Sequence, residues 1–318
     1  MSARRATRRP RTGAGNDAVV ARPRRRGTTV LPHARRMAIT ASTPGLRRRI
    51  TAWRRRGESI AFVPTMGALH QGHLSLVRRA RQSSDRVVVS IFVNPLQFGP
   101  SEDFRRYPRP ITADRALLRT ANVDLLWEPR VEDLCPPGDR TRVHVEGLES
   151  VLEGASRPGH FTGVTTVVTR LLCATQPDVL WLGQKDAQQA RMIEQMVGDL
   201  LIPVRVRRGA TVREPDGLAC SSRNSYLSAD ERDEALALVR GLTAARETLE
   251  RGERRASRVA DRVRRVWRDY PHVNEDYVAV VDAVTLDPVR RVEGRVLIAV
   301  AARIGTTRLI DNLEWEPR

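Results

Sequence analysis

Short apolar runs alternating with amphipathic helical stretches constrain this chain more than any other feature of its sequence. Ile60 to Val63 reads as a buried strand interrupted by Pro64. Leu74, Leu76, Val77 and Ala80 then fall on one side of a helix, and Arg86 to Val93 is a second strand. Strand, helix and strand within about 35 residues make a βαβ unit, which requires a parallel sheet with right-handed crossovers. A helix over Leu46 to Arg56, closed by Gly57, precedes the unit. The alternation continues with a helix near Asp114 to Thr120, a strand at Val123 to Trp127 and a helix at Val164 to Cys173. A strand at Val179 to Leu182, a helix from Ala187 to Leu200 and a strand near Val204 to Val206 complete it. The expected fold is α/β: a Rossmann-like, doubly wound parallel sheet over residues 37–211, with a smaller α+β domain over 212–318. The texture changes near Thr211, where turns lead into helices at Ala229 to Gly252 and Ala256 to Tyr270 and strands at Tyr277 to Val281 and Val296 to Ala301.

Charge narrows the choice of partners. The formal net charge is +18, but residues 1–36 hold eleven arginines against one acid, Asp17, which leaves about +8 on the rest. This leader lacks apolar periodicity and cannot bury enough surface to offset chain entropy. It is expected to be disordered, with Met37 as the alternative start of the chain. A nucleic-acid binder would interleave its basic residues with stacking aromatics, and aromatics are 4% of the chain, so nucleic acid is not an expected partner. No window approaches the roughly 18 apolar residues of a membrane helix, and the N-terminus lacks the apolar stretch of a secretory signal. A cytoplasmic protein without a membrane partner is expected. Cys135, Cys173 and Cys220 are odd in number and far apart, the pattern of reduced thiols and not of a disulfide framework.

Of the 55 basic residues all but one are arginine; the exception is Lys185. Such a chain keeps a lysine either by chance or where a compact, flexible ammonium is needed. Lys185 stands in Gly183-Gln184-Lys185-Asp186-Ala187-Gln188-Gln189, just after a strand, where ligands of open α/β sheets gather. Three further clusters carry chemistry. Pro64 to His73 joins a strand to a helix start, with Gly67 and Gly72 allowing close backbone approach and His70 and His73 three residues apart, a place suited to a triphosphate. The segment Phe92-Val93-Asn94-Pro95-Leu96-Gln97-Phe98 offers neutral amides suited to a hydroxylated acid, although Asn94 equally suits the turn chemistry around Pro95. Asp216 to Asn224 supplies hydroxyls followed by Arg223, which can close over phosphates or form an ordinary serine-rich turn.

The His-x-Gly-His form after a parallel strand is similar to the signature of adenylyl- and nucleotidyl-transferring enzymes. With six other motifs in order, the sequence from Ile60 to Asn312 resembles the pantothenate synthetase (pantoate–β-alanine ligase) family. The other motifs are residues 92–98, Tyr107-Pro108-Arg109, Arg157 to Val164, residues 183–189, Asp216 to Leu227 and Arg303 to Asn312.

The resemblance implies a fold of the nucleotidylyl transferase type and condensation of pantoate with β-alanine through a pantoyl-adenylate, giving pantothenate, AMP and pyrophosphate. It implies that ATP is held by Met66, Gly67, Ala68, Leu69, His70, Gln71, Gly72 and His73, by Gly183, Gln184, Lys185 and Asp186, and by Val212, Cys220, Ser221, Ser222 and Arg223. His73 would be the proton donor, with His70 beside it on the phosphates. Lys185 and Arg223 would stabilise charge on the transferring group. Gln97 and Gln189 would hold pantoate, with Asn94 and His160 also among the substrate-binding residues. Mg2+ would arrive with ATP, no dedicated protein metal site being assigned, and the assembly would be a homodimer. The chain departs from the family at Leu182 (usually aromatic), Gln184 (Glu), Ala187 (often Tyr) and Cys220 (Met). The alternative reading is a nucleotidyltransferase acting on a small phosphorylated metabolite, which would share the histidine loop but lack a pantoate pocket around Gln97 and Gln189.

Overall fold

The computed structural model describes residues 36–317, apart from residue 101. The expected disordered leader lies outside the described residues except for Arg36. The chain enters through β1 (Ala38–Thr40) and α1 (Thr43–Arg55), whose N-terminus is capped by Ser42 Oγ accepting from the Gly45 N–H at 3.2 Å. There follow β2 (Ile60–Thr65), α2 (Gln71–Ser83), β3 (Arg86–Ile91), α3 (Ile111–Thr120) and β4 (Leu125–Trp127). Two single turns, α4 (Val131–Leu134) and α5 (Glu153–Ser156), lead to α6 (His160–Thr175), β5 (Val179–Gly183), α7 (Ala187–Asp199) and β6 (Arg205–Gly209). Helices α8 (Ala229–Glu250) and α9 (Ala256–Trp267) precede β7 (Val273–Asp282), β8 (Val296–Ile304) and β9 (Thr307–Trp315). Among the described residues no helix is long and apolar enough to cross a membrane.

Six strands form one parallel sheet in the order β1-β4-β3-β2-β5-β6, and β7-β8-β9 form a separate antiparallel sheet. The four central strands of the six-stranded sheet are buried on both faces, whereas the edge strands β1 and β6 are partly exposed. Ile60, Phe62, Val88, Leu125 and Trp127 pack with residues of α1, α6 and α7, whereas Ala61, Val63, Val87, Val89 and Leu126 pack with α2 and α3. That double burial is why these strands read as continuous apolar runs in place of an alternating pattern.

Two strands escape a reading of the sequence. β1 has only three residues, and β9 carries Arg308, Asp311 and Asn312 among its apolar positions, so neither shows a strand period. Pro64 does not interrupt β2 as its residue type predicts; the strand continues through it to Thr65. In β2 the odd-numbered residues turn their polar backbone toward β3, as Phe92 N–H donating to Thr65 O shows, and the even-numbered ones toward β5. Pairing with β5 covers only Ala61 and Phe62, so Pro64, lacking an N–H, faces a side where no ladder bond is needed.

β8 serves two cores. Ile298, Val300 and Ala302 pack with α8 and α9, while Leu297 and Ala299 on its other face join the core beneath the six-stranded sheet. Gly163 matters equally for the site, because a Cβ there would lie 2.0 Å from the Leu96 carbonyl oxygen and 2.8 Å from Gln97 N. Helix α6 thereby sets the position of the segment carrying Asn94 and Gln97. Gly163→Ala is expected to cost at least about 2 kcal/mol through overpacking against rigid backbone. Urea unfolding with an unchanged midpoint would contradict this.

Candidate active site

Between β2 and β5 the winding reverses. The chain leaves β2 for β3 on one side and returns to β5 on the other, so the connections after the two strands diverge and open a crevice at their carboxyl ends. A cleft of about 660 Å³ lies there.

The loop after β2 forms one wall. Gly67 (φ +83°) and Ala68 (φ +49°) are both left-handed, and a Cβ on Gly67 would come within 3.1 Å of both Asp114 Oδ2 and Ile91 Cγ2. Buried Asp114, from α3, accepts the Ala68 N–H at 2.9 Å and the Leu69 N–H at 2.8 Å. Burial raises the Asp114 pKa, and these two bonds pull it back only in part. His70 caps α2, its Nδ1 accepting from the Gly72 N–H at 3.2 Å, while His73 Nδ1 accepts from the His70 N–H at 3.4 Å. With both Nδ1 atoms accepting, each neutral ring carries its proton on Nε2. The ring centroids are 4.1 Å apart. Burial, aided by the charge of Lys185, depresses His70 to about 4; burial, aided by His70, depresses His73 to about 3. Both imidazoles are neutral at pH 7.

The second wall comes from the end of β3 and the start of α6. Asn94 is buried and fully engaged: its Nδ2 donates to Gln97 Oε1 (2.9 Å) and Gly163 O (3.1 Å), and its Oδ1 accepts from the Leu96 N–H (3.0 Å). Gln97 Nε2 rests on Met66 Sδ at 3.2 Å. Buried His160 donates from Nδ1 to Gln97 O at 2.7 Å and accepts from Arg157 Nη1 at 3.1 Å, and burial beside that guanidinium holds it at about 4. Arg157 in turn makes a two-pronged pair with Glu102 at 2.6 and 2.7 Å.

The turn after β5 supplies the third wall. Lys185 Nζ has Asp186 Oδ1 at 3.5 Å, and its carbonyl accepts from Asn312 Nδ2 of β9 at 2.7 Å. Asn312 also binds Gln184 O, and the neighbouring Asp311 pairs with Arg213, so the antiparallel sheet fastens this turn. Gln189 lines the cleft, and its amide has no hydrogen-bond partner among the described residues. Opposite, Ser222 Oγ meets Tyr107 OH at 3.1 Å, and Arg223 donates from Nε and Nη2 to Asp103 at 3.0 and 2.9 Å.

The pantoate–β-alanine ligase family model matches residues 38–314. The chain belongs to the pantoate–β-alanine ligase family. It is 51% identical over 280 residues to the pantothenate synthetase of Moorella thermoacetica, a match covering 88% of this chain and 99% of the relative. A crystal structure of pantothenate synthetase from Thermus thermophilus superposes with a TM-score of 0.84 at 47% identity, covering 88% of this chain and 100% of that one. The ligase from Francisella tularensis, solved as a complex with β,γ-ATP and β-alanine, superposes with a TM-score of 0.70 at 34% identity over 87% of this chain and 97% of that one.

Of the residues that the family resemblance singles out, Met66, His70, Gly72, His73, Asn94, Gln97 and His160 line this one cleft, as do Gly183, Lys185, Asp186, Gln189, Val212, Cys220, Ser221, Ser222 and Arg223. Five others do not reach its wall. Leu69 is buried in the core and Gln71 is exposed on α2. Gly67 and Ala68 form the bend behind the histidines, and the N–H groups of Ala68 and Leu69 are spent on Asp114 and so are not free for phosphate. Gln184 turns its amide away, toward Glu314 at 2.9 Å. The Gly72 N–H at the helix start is likewise taken by His70, and with both Nδ1 atoms accepting, the imidazole Nε2–H groups are donors available on this wall. Asn94 and His160 have every side-chain polar group engaged within the protein and hold Gln97 in place. Asp114 and Asp103 carry no local sequence signal, because their partners lie at least 45 positions away, and the Glu102 pair with Arg157 spans 55. Arg157 and Asn312 stand within recognised motifs that assign them no role.

Buried His160 and partly buried His70 and His73, with pKa values pushed from 6.5 to about 4, 4 and 3, make stability depend on pH. The unfolded chain binds protons below pH 6.5 that the folded chain refuses, so unfolding free energy falls as pH drops from 6.5 toward 4 and is flat with respect to these groups above 7. Denaturant titrations between pH 4 and 7.5 should show this slope, and His160→Gln should lessen it; an unchanged slope would mean that His160 is not buried neutral.

Proposed function

We propose that this cleft carries out the ATP-dependent condensation of pantoate with β-alanine, through a pantoyl-adenylate. The observation that carries the reading is the convergence of His70, His73 and Lys185, from the ends of two diverging strands, on a crevice that also presents Gln97 and Gln189. The pantoate carboxylate attacks the α-phosphorus of ATP and pyrophosphate leaves. The β-alanine amine then attacks the acyl carbon, AMP leaves, and the amine proton passes to solvent. The protein forms no covalent bond, and its part is positioning and charge stabilisation. His70 and His73 act as neutral Nε2–H donors to phosphate oxygens; an arriving polyanion raises their pKa values, which brings His73 closer to proton donation as pyrophosphate departs. Lys185 and Arg223 meet the charge that develops on the phosphates. Gln189 and Gln97 hold the hydroxyl and carboxylate of pantoate, with Asn94 and His160 orienting Gln97.

Among the described residues no group of three or more His, Cys, Asp or Glu could hold a metal ion. The ammonium, guanidinium and amide groups of the cleft suit phosphate oxygens better than a cation, so magnesium would travel on the triphosphate. The family resemblance further supports a cytoplasmic homodimer, and the change of sequence texture near Thr211 supports residues 212–318 as a C-terminal domain; a light-scattering mass of a single chain would overturn the dimer.

AMP release should require pantoate, and formation of the amide product should require β-alanine. A stable nucleotide-containing product formed without β-alanine, from a phosphorylated acceptor, would favour the nucleotidyltransferase reading. Lys185→Arg keeps the charge but presents a wider, planar group, so it should lower turnover about 100- to 1000-fold, the loss of roughly 2.7 to 4 kcal/mol seen when such a stabiliser is removed. Near-normal turnover of this variant would remove Lys185 from the mechanism.

A further inference from the structure

Arg223 reaches the cleft from a 3-10 turn, Ser222–Tyr226, with its side chain only 26% exposed. Both prongs of its guanidinium are taken by Asp103, whose side chain is 14% exposed and also lines the cleft. Burial pulls the Arg223 pKa down, but the bonds to Asp103 outweigh it and raise the value. A guanidinium fork accepts a carboxylate and a phosphate with the same two-pronged geometry. The segment carrying Asp103 does not need this bond for anchorage. Glu102 is held by Arg157, Tyr107 OH by Ser222, the Arg106 carbonyl by Tyr226 OH at 3.3 Å, and Arg109 binds the carbonyls of Phe104 and Tyr107 at 2.9 Å.

We propose that Asp103 is an internal stand-in for a nucleotide phosphate: a positioning residue that holds Arg223 at the cleft wall in the ATP-free protein and yields it to the incoming triphosphate. This deepens the proposed function and rests on the reading of the cleft as an ATP site. The exchange follows from charge. An arginine buried without a partner is costly, so a carboxylate occupies the fork until the ligand arrives. Once the triphosphate takes the fork, Asp103 faces a polyanion of like charge and turns away from it. Part of the binding energy of ATP is therefore spent on displacing Asp103, which lowers its apparent affinity.

The test measures binding of a non-hydrolysable ATP analogue by calorimetry to the full chain, to Asp103→Asn, to Arg223→Ala and to the double variant. Asp103→Asn should bind the analogue about tenfold more tightly, equivalent to about 1.4 kcal/mol. The gain should shrink to about twofold or less in the Arg223→Ala background, where no fork remains to be freed. In steady state, Asp103→Asn should lower the half-saturating ATP concentration and leave that for pantoate unchanged, whereas loss of a purely structural residue would raise both. Asp103→Ser serves as a second variant if the amide pairs with Arg223 in its own way. Equal or weaker binding in both Asp103 variants, with Arg223→Ala also weakened, would overturn the proposal. Wild-type binding by Arg223→Ala would instead overturn the assignment of Arg223 to the phosphates.

Discussion

The reversal of winding at β2 is the constraint on which the rest of this structure depends. Helices packed on both faces of a parallel sheet leave its carboxyl edge as the place where loops can diverge, and they diverge where one connection runs left and the next runs right. Here β2 and β5 pair over only two residues before separating. The separation makes room for Pro64 without loss of a ladder bond, and it sets the histidine loop and the Lys185 turn on facing walls.

Six cationic and five acidic side chains among the described residues line the cleft, and three of its arginines are already committed to carboxylates. Arg157 is held by Glu102, Arg223 by Asp103 and Arg308 by Glu153; Lys185 has only a loose contact to Asp186, and Arg106 and Arg303 line the cleft with no side-chain ion pair among the described residues. The imidazoles remain neutral because protonated rings would be buried beside one another and beside an ammonium. Pairing cations with carboxylates and keeping the imidazoles neutral limits self-repulsion in the cleft.

The antiparallel sheet belongs to this arrangement as well as to its own core. β8 buries one face against α8 and α9 and the other beneath the parallel sheet, and β9 extends Asn312 to the carbonyls of Gln184 and Lys185. The turn bearing the lone lysine is thus held by a strand more than a hundred residues away, which ties this wall of the cleft to the packing of the C-terminal part.

The parallel sheet, the order of its helices and the edge where ligands gather were legible in the sequence, because apolar periodicity and the chirality of βαβ connections are local properties. The histidine loop and Lys185 were legible too, one as a motif at a strand end and the other as an exception to a composition. The strands β1 and β9 were not, one being too short and the other too polar to show a period. Nor could the sequence distinguish the residues that face the cleft from those that hold them: Asn94 and His160 have the chemistry of contacts but have their polar groups bonded inward, and Gln184 stands beside Lys185 but points to Glu314. Asp114 on the loop, Asp103 on Arg223 and Asn312 under Lys185 were decided only by the tertiary structure. A hydrogen bond across 45 to 128 positions leaves no trace in spacing or periodicity and exists only once packing has brought its two ends together.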